Sequence, residues 1–220
     1  MSRQTLAAVA ILGLALVSAT NAISEEPKSK TLYFPTTVGD RLVFDVKSGD
    51  NRFEKVDEVT SAKSQYGANL VEIRTTIKDG TPTTAMYEVS DKGVYQVMEG
   101  SNFLPGRACL VRLPLMKGDT WEWKMTAKES EPAKGQQPDM VEIIATCTVV
   151  GEEEIEVGAG KFKVARVEMS FEFMGFTTRV TSWLAPGRGP VRVQIESGES
   201  IDSLKTDVMI SLKSFTPGKK

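Results

Sequence analysis

The chain has 220 residues, 40% of them hydrophobic and 25% charged, a composition that excludes both a disordered polymer and a polytopic membrane protein. Its 27 basic and 29 acidic residues give a formal charge of -2; with no basic excess to neutralise a phosphate backbone, nucleic acid is not an expected partner. Histidine is absent altogether, which removes the Ser-His-Asp and Cys-His nucleophile pairs and the commonest zinc ligand.

The chain opens with Arg3, an apolar or small run from Leu6 to Val17, and Thr20-Asn21-Ala22, which places small residues at the -3 and -1 positions of a cleavage site. This pattern predicts a cleavable signal peptide over residues 1–22. A membrane anchor is the competing reading, but twelve helical residues rise only about 18 Å against a hydrocarbon core of about 30 Å. No cysteine lies near the site to carry a lipid. The expected mature product is therefore exported to the periplasm or beyond the cell, and is not an integral membrane protein. Residues 23–30 are expected to be flexible, 31–215 to form one β domain, and 216–220 to be a flexible tail.

Beyond Pro27 the hydrophobic period is two, which is the strand period. Leu42, Phe44 and Val46 alternate with Val43, Asp45 and Lys47, and Val71, Ile73 and Ile77 alternate with Glu72, Arg74 and Lys78. Further strand runs are expected at 83–90, 94–99, 121–127, 141–150, 163–173, 177–184, 191–197 and 204–215. Asp79-Gly80, Asp91-Lys92-Gly93, Pro186-Gly187-Arg188-Gly189 and Ser197-Gly198 supply turn chemistry between neighbours, which favours antiparallel hairpins. The polar stretch 129–139 reads as a loop, because strands flank it. The prediction is an all-β fold of about ten antiparallel strands forming one barrel or strongly curved sheet, with two small successive sheets as the alternative.

The sequence also repeats. Phe34-Pro35-x3-Gly39-Asp40-x-Leu42-x-Phe44-x-Val46 matches Leu113-Pro114-x3-Gly118-Asp119-x-Trp121-x-Trp123-x-Met125, and Val71, Ile73, Tyr87, Gly93 and Val97 match Val167, Met169, Trp183, Gly189 and Val193. The expected internal repeats cover about 33–97 and 112–193, with an insertion around 128–156. In the first block proline fixes an extended approach, Gly-Asp makes a tight turn, and the following strand aims two large side chains at one face. Asp40 and Asp119 are expected to satisfy turn amides rather than to form a catalytic pair.

Three segments carry a resemblance: Tyr33-Phe34-Pro35-x3-Gly39-Asp40; Val157-Gly158-Ala159-Gly160-Lys161-Phe162-Lys163-Val164, read as a strand; and Trp183-Leu184-Ala185-Pro186-Gly187-Arg188-Gly189-Pro190-Val191. Together they resemble a group of uncharacterised bacterial exported β-rich proteins with Tyr-x-Pro-x3-Gly and Trp-x-Ala-Pro-Gly-x-Gly-x-Val motifs. Leu42 stands where that group commonly has tryptophan. The resemblance implies a β-rich envelope protein and supplies no activity. A looser analogy, from architecture and compartment alone, is to the open barrels that carry lipids or lipoproteins across the periplasm.

No nucleophile-elbow, phosphate-loop or dinucleotide fingerprint is present, so no catalytic residue, cofactor or metal site is assigned. Gly187-Arg188-Gly189 lies between two strands and reads as a hairpin turn, not a phosphate cradle. Glu152, Glu153, Glu154 and Glu156 lack the spacing of a calcium loop and read as a solvated strand edge. A carboxylate-based hydrolase is the enzymatic alternative. Cys109 and Cys147 would pair in an oxidising compartment, or else stand as two separate buried thiols.

Nine methionines and the clustered aromatics suit an adaptable apolar pocket. The candidate lining is Phe44, Trp121, Trp123, Met125, Met169, Phe171, Phe173 and Trp183, and the alternative is a solidly filled core. The expected function is that of an exported non-catalytic binding protein whose partner is a small apolar or lipid-like ligand. A structural or protein-interaction module of the envelope is the second reading.

Overall fold

The computed structural model describes residues 32–78, 80–99, 102–128, 140–173, 176–197 and 206–219. The expected signal peptide, the segment 23–30 and the polar loop 129–139 lie outside them. The order is β1 (Arg41–Ser48), β2 (Asn51–Gln65), β3 (Ala68–Ile77), β4 (Thr83–Ser90), β5 (Gly93–Glu99), β6 (Asn102–Arg112), β7 (Thr120–Lys128), β8 (Met140–Val157), β9 (Gly160–Phe173), β10 (Phe176–Ala185), β11 (Gly189–Ser197) and β12 (Thr206–Thr216). All twelve belong to one antiparallel sheet, ordered β6-β5-β4-β3-β2-β1-β12-β11-β10-β9-β8-β7. The sheet curls until its edge strands β6 and β7 face each other, so the barrel is nearly closed.

Two strands exceed the ten expected from periodicity. β2 is charged on both faces, with Glu54, Lys55, Asp57 and Glu58 in succession around Val56, so it carries no alternation to detect. β6 contains Pro105 and Gly106, residues tolerated in a strand chiefly at a sheet edge, which is where β6 lies. The segment 157–164, expected to be a continuous strand, is a hairpin instead: Gly158-Ala159 turns the chain between β8 and β9.

The two Gly-Asp turns that precede β1 and β7 share the same backbone bonds. Gly39 and Gly118 have φ of 87° and 88°, a region costly for residues bearing a Cβ. Gly39 N donates to Val59 O at 2.8 Å and Gly118 N to Val149 O at 2.8 Å; Val59 N donates to Asp40 O and Val149 N to Asp119 O, each at 2.9 Å. Just beyond each contact the long partner strand carries a bulge, between Val59 and Ser61 in β2 and between Val149 and Gly151 in β8. Bulges bend a strand and sharpen its twist, and these two let the sheet curl at corresponding places.

Each six-strand half also buttresses the other. Gly187 N, in the β10–β11 turn, donates to Leu32 O at 2.7 Å, while Leu113 N donates to Lys92 O in the β4–β5 turn at 2.9 Å. The equivalence stops at the seam. β1 is laddered to β12, whereas its counterpart β7 is not laddered to β6. There the Trp121 indole, on β7, donates to the Cys109 carbonyl on β6 at 2.8 Å, so one side chain spans the gap that backbone pairs close elsewhere.

The buried core gathers at the end of the barrel where β1 and β7 begin. Val59, Val71, Val89, Val94, Val111, Trp121, Val149 and Leu184 form its main cluster, with Leu32, Tyr33 and Phe34 packed against it. A second cluster joins Leu42, Phe44, Val191 and Leu212 to Ile155 and Phe162 of the β8–β9 hairpin. That hairpin reaches β12 through Ala159 N, which donates to Leu212 O at 3.1 Å. Asp40 is buried and accepts from Thr37 N at 3.1 Å and Gly218 N at 2.9 Å, the turn-satisfying role expected from its motif. Asp40→Ala strands both donors, which costs about 1–3 kcal/mol. A lower melting temperature with earlier proteolytic loss of the C-terminal residues checks this.

Candidate functional site

The barrel is neither solid nor empty. Beside the packed core lies a partly open cavity of about 280 Å³, at the lower end of ligand-site sizes. Its walls are set by strand parity. Leu42 and Phe44 of β1 alternate with exposed Arg41 and Asp45 and face inward. β9 supplies Val167 and Met169, and β10 supplies Val180, Ser182 and Leu184. The lead-in segment Tyr33-Phe34-Pro35 crosses one side. Phe34 packs at a tilt on Tyr87, with ring centroids 4.8 Å apart.

Directly opposed residues of paired strands project from the same face. Asp57 lies opposite Leu42, and Lys55 opposite Phe44, so two charges of β2 turn into the cavity. They meet there: Lys55 Nζ is 2.8 Å from Asp57 Oδ2, and Thr75, opposite Asp57 on β3, donates its hydroxyl to Asp57 Oδ1 at 2.7 Å. Lys55 Nζ also lies 5.3 Å from the centroid of the Phe44 ring. The pair therefore neutralises itself inside an apolar wall. Arg188, at the β10–β11 turn, completes the lining; its guanidinium sits 3.7 Å from the Phe215 ring centroid and donates to Gly187 O at 3.3 Å.

Of the lining expected from sequence, Phe44 and Met169 border this cavity. Trp121 is buried in the core at the seam, and Trp123 is half-buried against that core. Met125 is half-buried on β7. Phe171 borders a separate, more polar cleft with Glu142 and Thr146. The Phe173 side chain lies outside the described residues. Trp183 shares no wall with the cavity: it alternates with inward Ser182 and Leu184, donates to Glu153 Oε1 at 2.8 Å, and carries Arg192 over its ring. The sequence reading missed Lys55, Asp57 and Arg188, because a charge on a strand is ordinarily a wet-face signal.

The acidic run of the β8–β9 hairpin is matched to cations. Lys163 pairs with Glu152 at 3.0 Å, Arg166 with Glu153 at 3.5 Å, and Lys161 with Glu156 at 3.9 Å. The reading of these glutamates as a solvated edge agrees with their exposure.

Cys109 and Cys147 are both free thiols in this structure. Burial pushes the Cys147 thiol up to about 12, with smaller effects from Trp123, which lowers it, and from Cys109, which raises it. Burial likewise raises Cys109. Because the folded state holds the Cys147 proton more tightly than the unfolded chain, its contribution to stability is whole below about pH 9 and is lost as pH rises towards 12. At pH 8, iodoacetamide is expected to modify half-buried Cys109 slowly and to leave Cys147 unmodified until the protein is denatured. Mass spectrometry of timed digests reads both sites.

No protein-family model matches the chain, and no curated protein matches it. Solved structures do, and two of them align over most of the chain. A candidate exported protein of Bacteroides fragilis, described as having a YmcC-like fold, aligns with a TM-score of 0.58 and 14% identity, over 84% of this chain and 99% of its own. A candidate lipoprotein of Parabacteroides distasonis aligns with a TM-score of 0.56, the same identity and the same coverages. This chain shares their fold. At 14% identity the likeness extends to the course of the strands and no further.

Proposed function

We propose that this protein is an exported, non-catalytic carrier that holds one small apolar ligand in the barrel cavity. The observation that carries the reading is the 280 Å³ space walled by Phe34, Phe44, Val167, Met169 and Val180. A well-packed barrel would bury these side chains against one another, since an apolar void forfeits contact energy. Export is supported by the signal-like sequence of residues 1–22, and by the two structural relatives described as a candidate exported protein and a candidate lipoprotein.

Displacement of a fluorescent acyl probe tests the reading. Val180→Trp fills the space and is expected to weaken probe binding at least tenfold while the dichroism spectrum stays that of the parent. Equal binding by parent and filled variant overturns it. The interaction-module reading draws on the unladdered edges of β6 and β7, which leave backbone donors and acceptors for a partner strand. Capture of a stable envelope partner, lost on deletion of 129–139, would favour it over the carrier.

A further inference from the structure

The charges around the cavity do not balance. Lys55 is matched by Asp57 at 2.8 Å, and Thr75 occupies the second oxygen of that carboxylate. The pair is internally satisfied and offers no net charge. Arg188 is different. Its described partners are an aromatic face, the Phe215 ring, and one backbone carbonyl, that of Gly187; among the described residues no carboxylate pairs with it. A guanidinium has five N–H donors in a rigid fork, and a single bond to Gly187 O leaves most of that fork unmatched by protein acceptors.

The surroundings hold this cation in place. The turn that carries Arg188 is closed by Arg188 N donating to Ala185 O at 3.1 Å, and it grips the lead-in segment through Gly187 N to Leu32 O. Gly189 sits so close to that segment that a Cβ there would lie 3.4 Å from the Pro35 ring. Stacking on Phe215 fixes the plane of the guanidinium, so little freedom is lost when an acid docks on it. Tyr33, Phe34, Pro35 and Pro190 line the same part of the cavity wall, and Phe44, Met169 and Val180 continue it as apolar surface.

We infer that the ligand is a single-chain amphiphile with one carboxylate, its head group held by Arg188 and its chain laid along Phe44, Met169 and Val180. This rests on the carrier reading above. The cavity bears a net charge of one positive, which a monoanion neutralises. A bidentate guanidinium–carboxylate pair is among the stronger hydrogen-bonded contacts available in a partly desolvated site. The volume suits one medium-length chain.

The test compares decanoate with decanol, two ligands of the same chain length, by calorimetry at pH 8 on the mature protein. The parent is expected to bind decanoate at least tenfold more tightly. Arg188→Gln is expected to remove that preference by weakening decanoate while leaving decanol unchanged. Arg188→Lys, which keeps the charge without the fork, is expected to fall between them. A melting curve on each variant confirms that the fold is intact. Equal affinity of the parent for acid and alcohol, or an undiminished preference in Arg188→Gln, overturns the inference and leaves the carrier reading standing. Failure of both ligands to bind the parent, with no competition against the acyl probe, overturns both.

Discussion

Gly93→Ala is expected to cost at least about 3 kcal/mol, the range of a steric conflict with rigid backbone. Gly93 starts β5 at φ 150°, and an added Cβ would fall on the carbonyl oxygen of Val111, with Arg112 Cα 3.3 Å away. Nothing there is the far end of a flexible side chain. β6 is an edge strand held along one side by β5, so the strain is relieved by displacing β6 from the sheet. That move also withdraws Cys109 O from the Trp121 indole and opens the seam. For a domain of this size each kcal/mol shifts the melting temperature by about 2–4 °C, so a fall of roughly 6–12 °C is expected. Gly187→Ala is the control: its φ is 67° but nothing lies within 4 Å of the new Cβ, so only the left-handed backbone costs, about 1 kcal/mol. Thermal melts of the two variants that coincide would refute the steric account.

The second large effect concerns the inward ion pair. Lys55→Met leaves the Asp57 carboxylate facing the apolar wall with Thr75 as its remaining side-chain donor, and Asp57→Leu leaves the Lys55 ammonium there with the Phe44 ring. Removing one partner of a buried pair costs more than removing both. The Lys55 and Asp57 side chains retain 26% and 17% exposure, so water moderates the penalty to about 2 kcal/mol for each single change. The double variant is expected to recover at least 1 kcal/mol of the summed loss, a coupling that urea denaturation of the four proteins resolves. Strictly additive losses would show that the pair is a surface contact in effect. Ligand binding gives an independent reading, because the double variant takes both β2 charges out of the wall and is expected to bind decanol more tightly than the parent does.

How far these features were legible from residues alone differs strand by strand. The inward alternation of Leu42, Phe44 and Val46 in β1, and of Val71 and Ile73 in β3, survives folding because those side chains find the interior, although Val43 is buried too and Ile77 at the end of β3 is exposed. The Gly-Asp turns were equally readable, since proline, glycine and a short acid act within a few residues of themselves. β2 was not readable. Its inward residues include a lysine and an aspartate that are acceptable only because they meet each other, and a period-two count scores both as solvent-facing.

The aromatic residues show the same limit. Size marks Trp121, Trp123 and Trp183 alike as interior, yet each takes a different place: across the seam, beside the core, and against the β8–β9 hairpin. Parity could have separated Trp183, because Val180, Ser182 and Leu184 occupy the other face of β10. What parity could not supply is the acceptor each indole meets, Cys109 O on β6 for Trp121 and Glu153 on the hairpin for Trp183.

The sequence by itself determined an all-β chain, most of its strand positions, the paired Gly-Asp turns and the hairpin at 186–189, because hydrophobic alternation and turn chemistry are short-range and act before distant strands meet. Only the tertiary structure decided that β1 pairs with β12 while β7 stays unladdered to β6, that a cavity persists beside the packed core, and that Lys55, Asp57 and Arg188 border it. Those outcomes depend on how far a twisted twelve-strand sheet must curl before its edges meet, a property of the summed twist and bulges that no local window of residues contains.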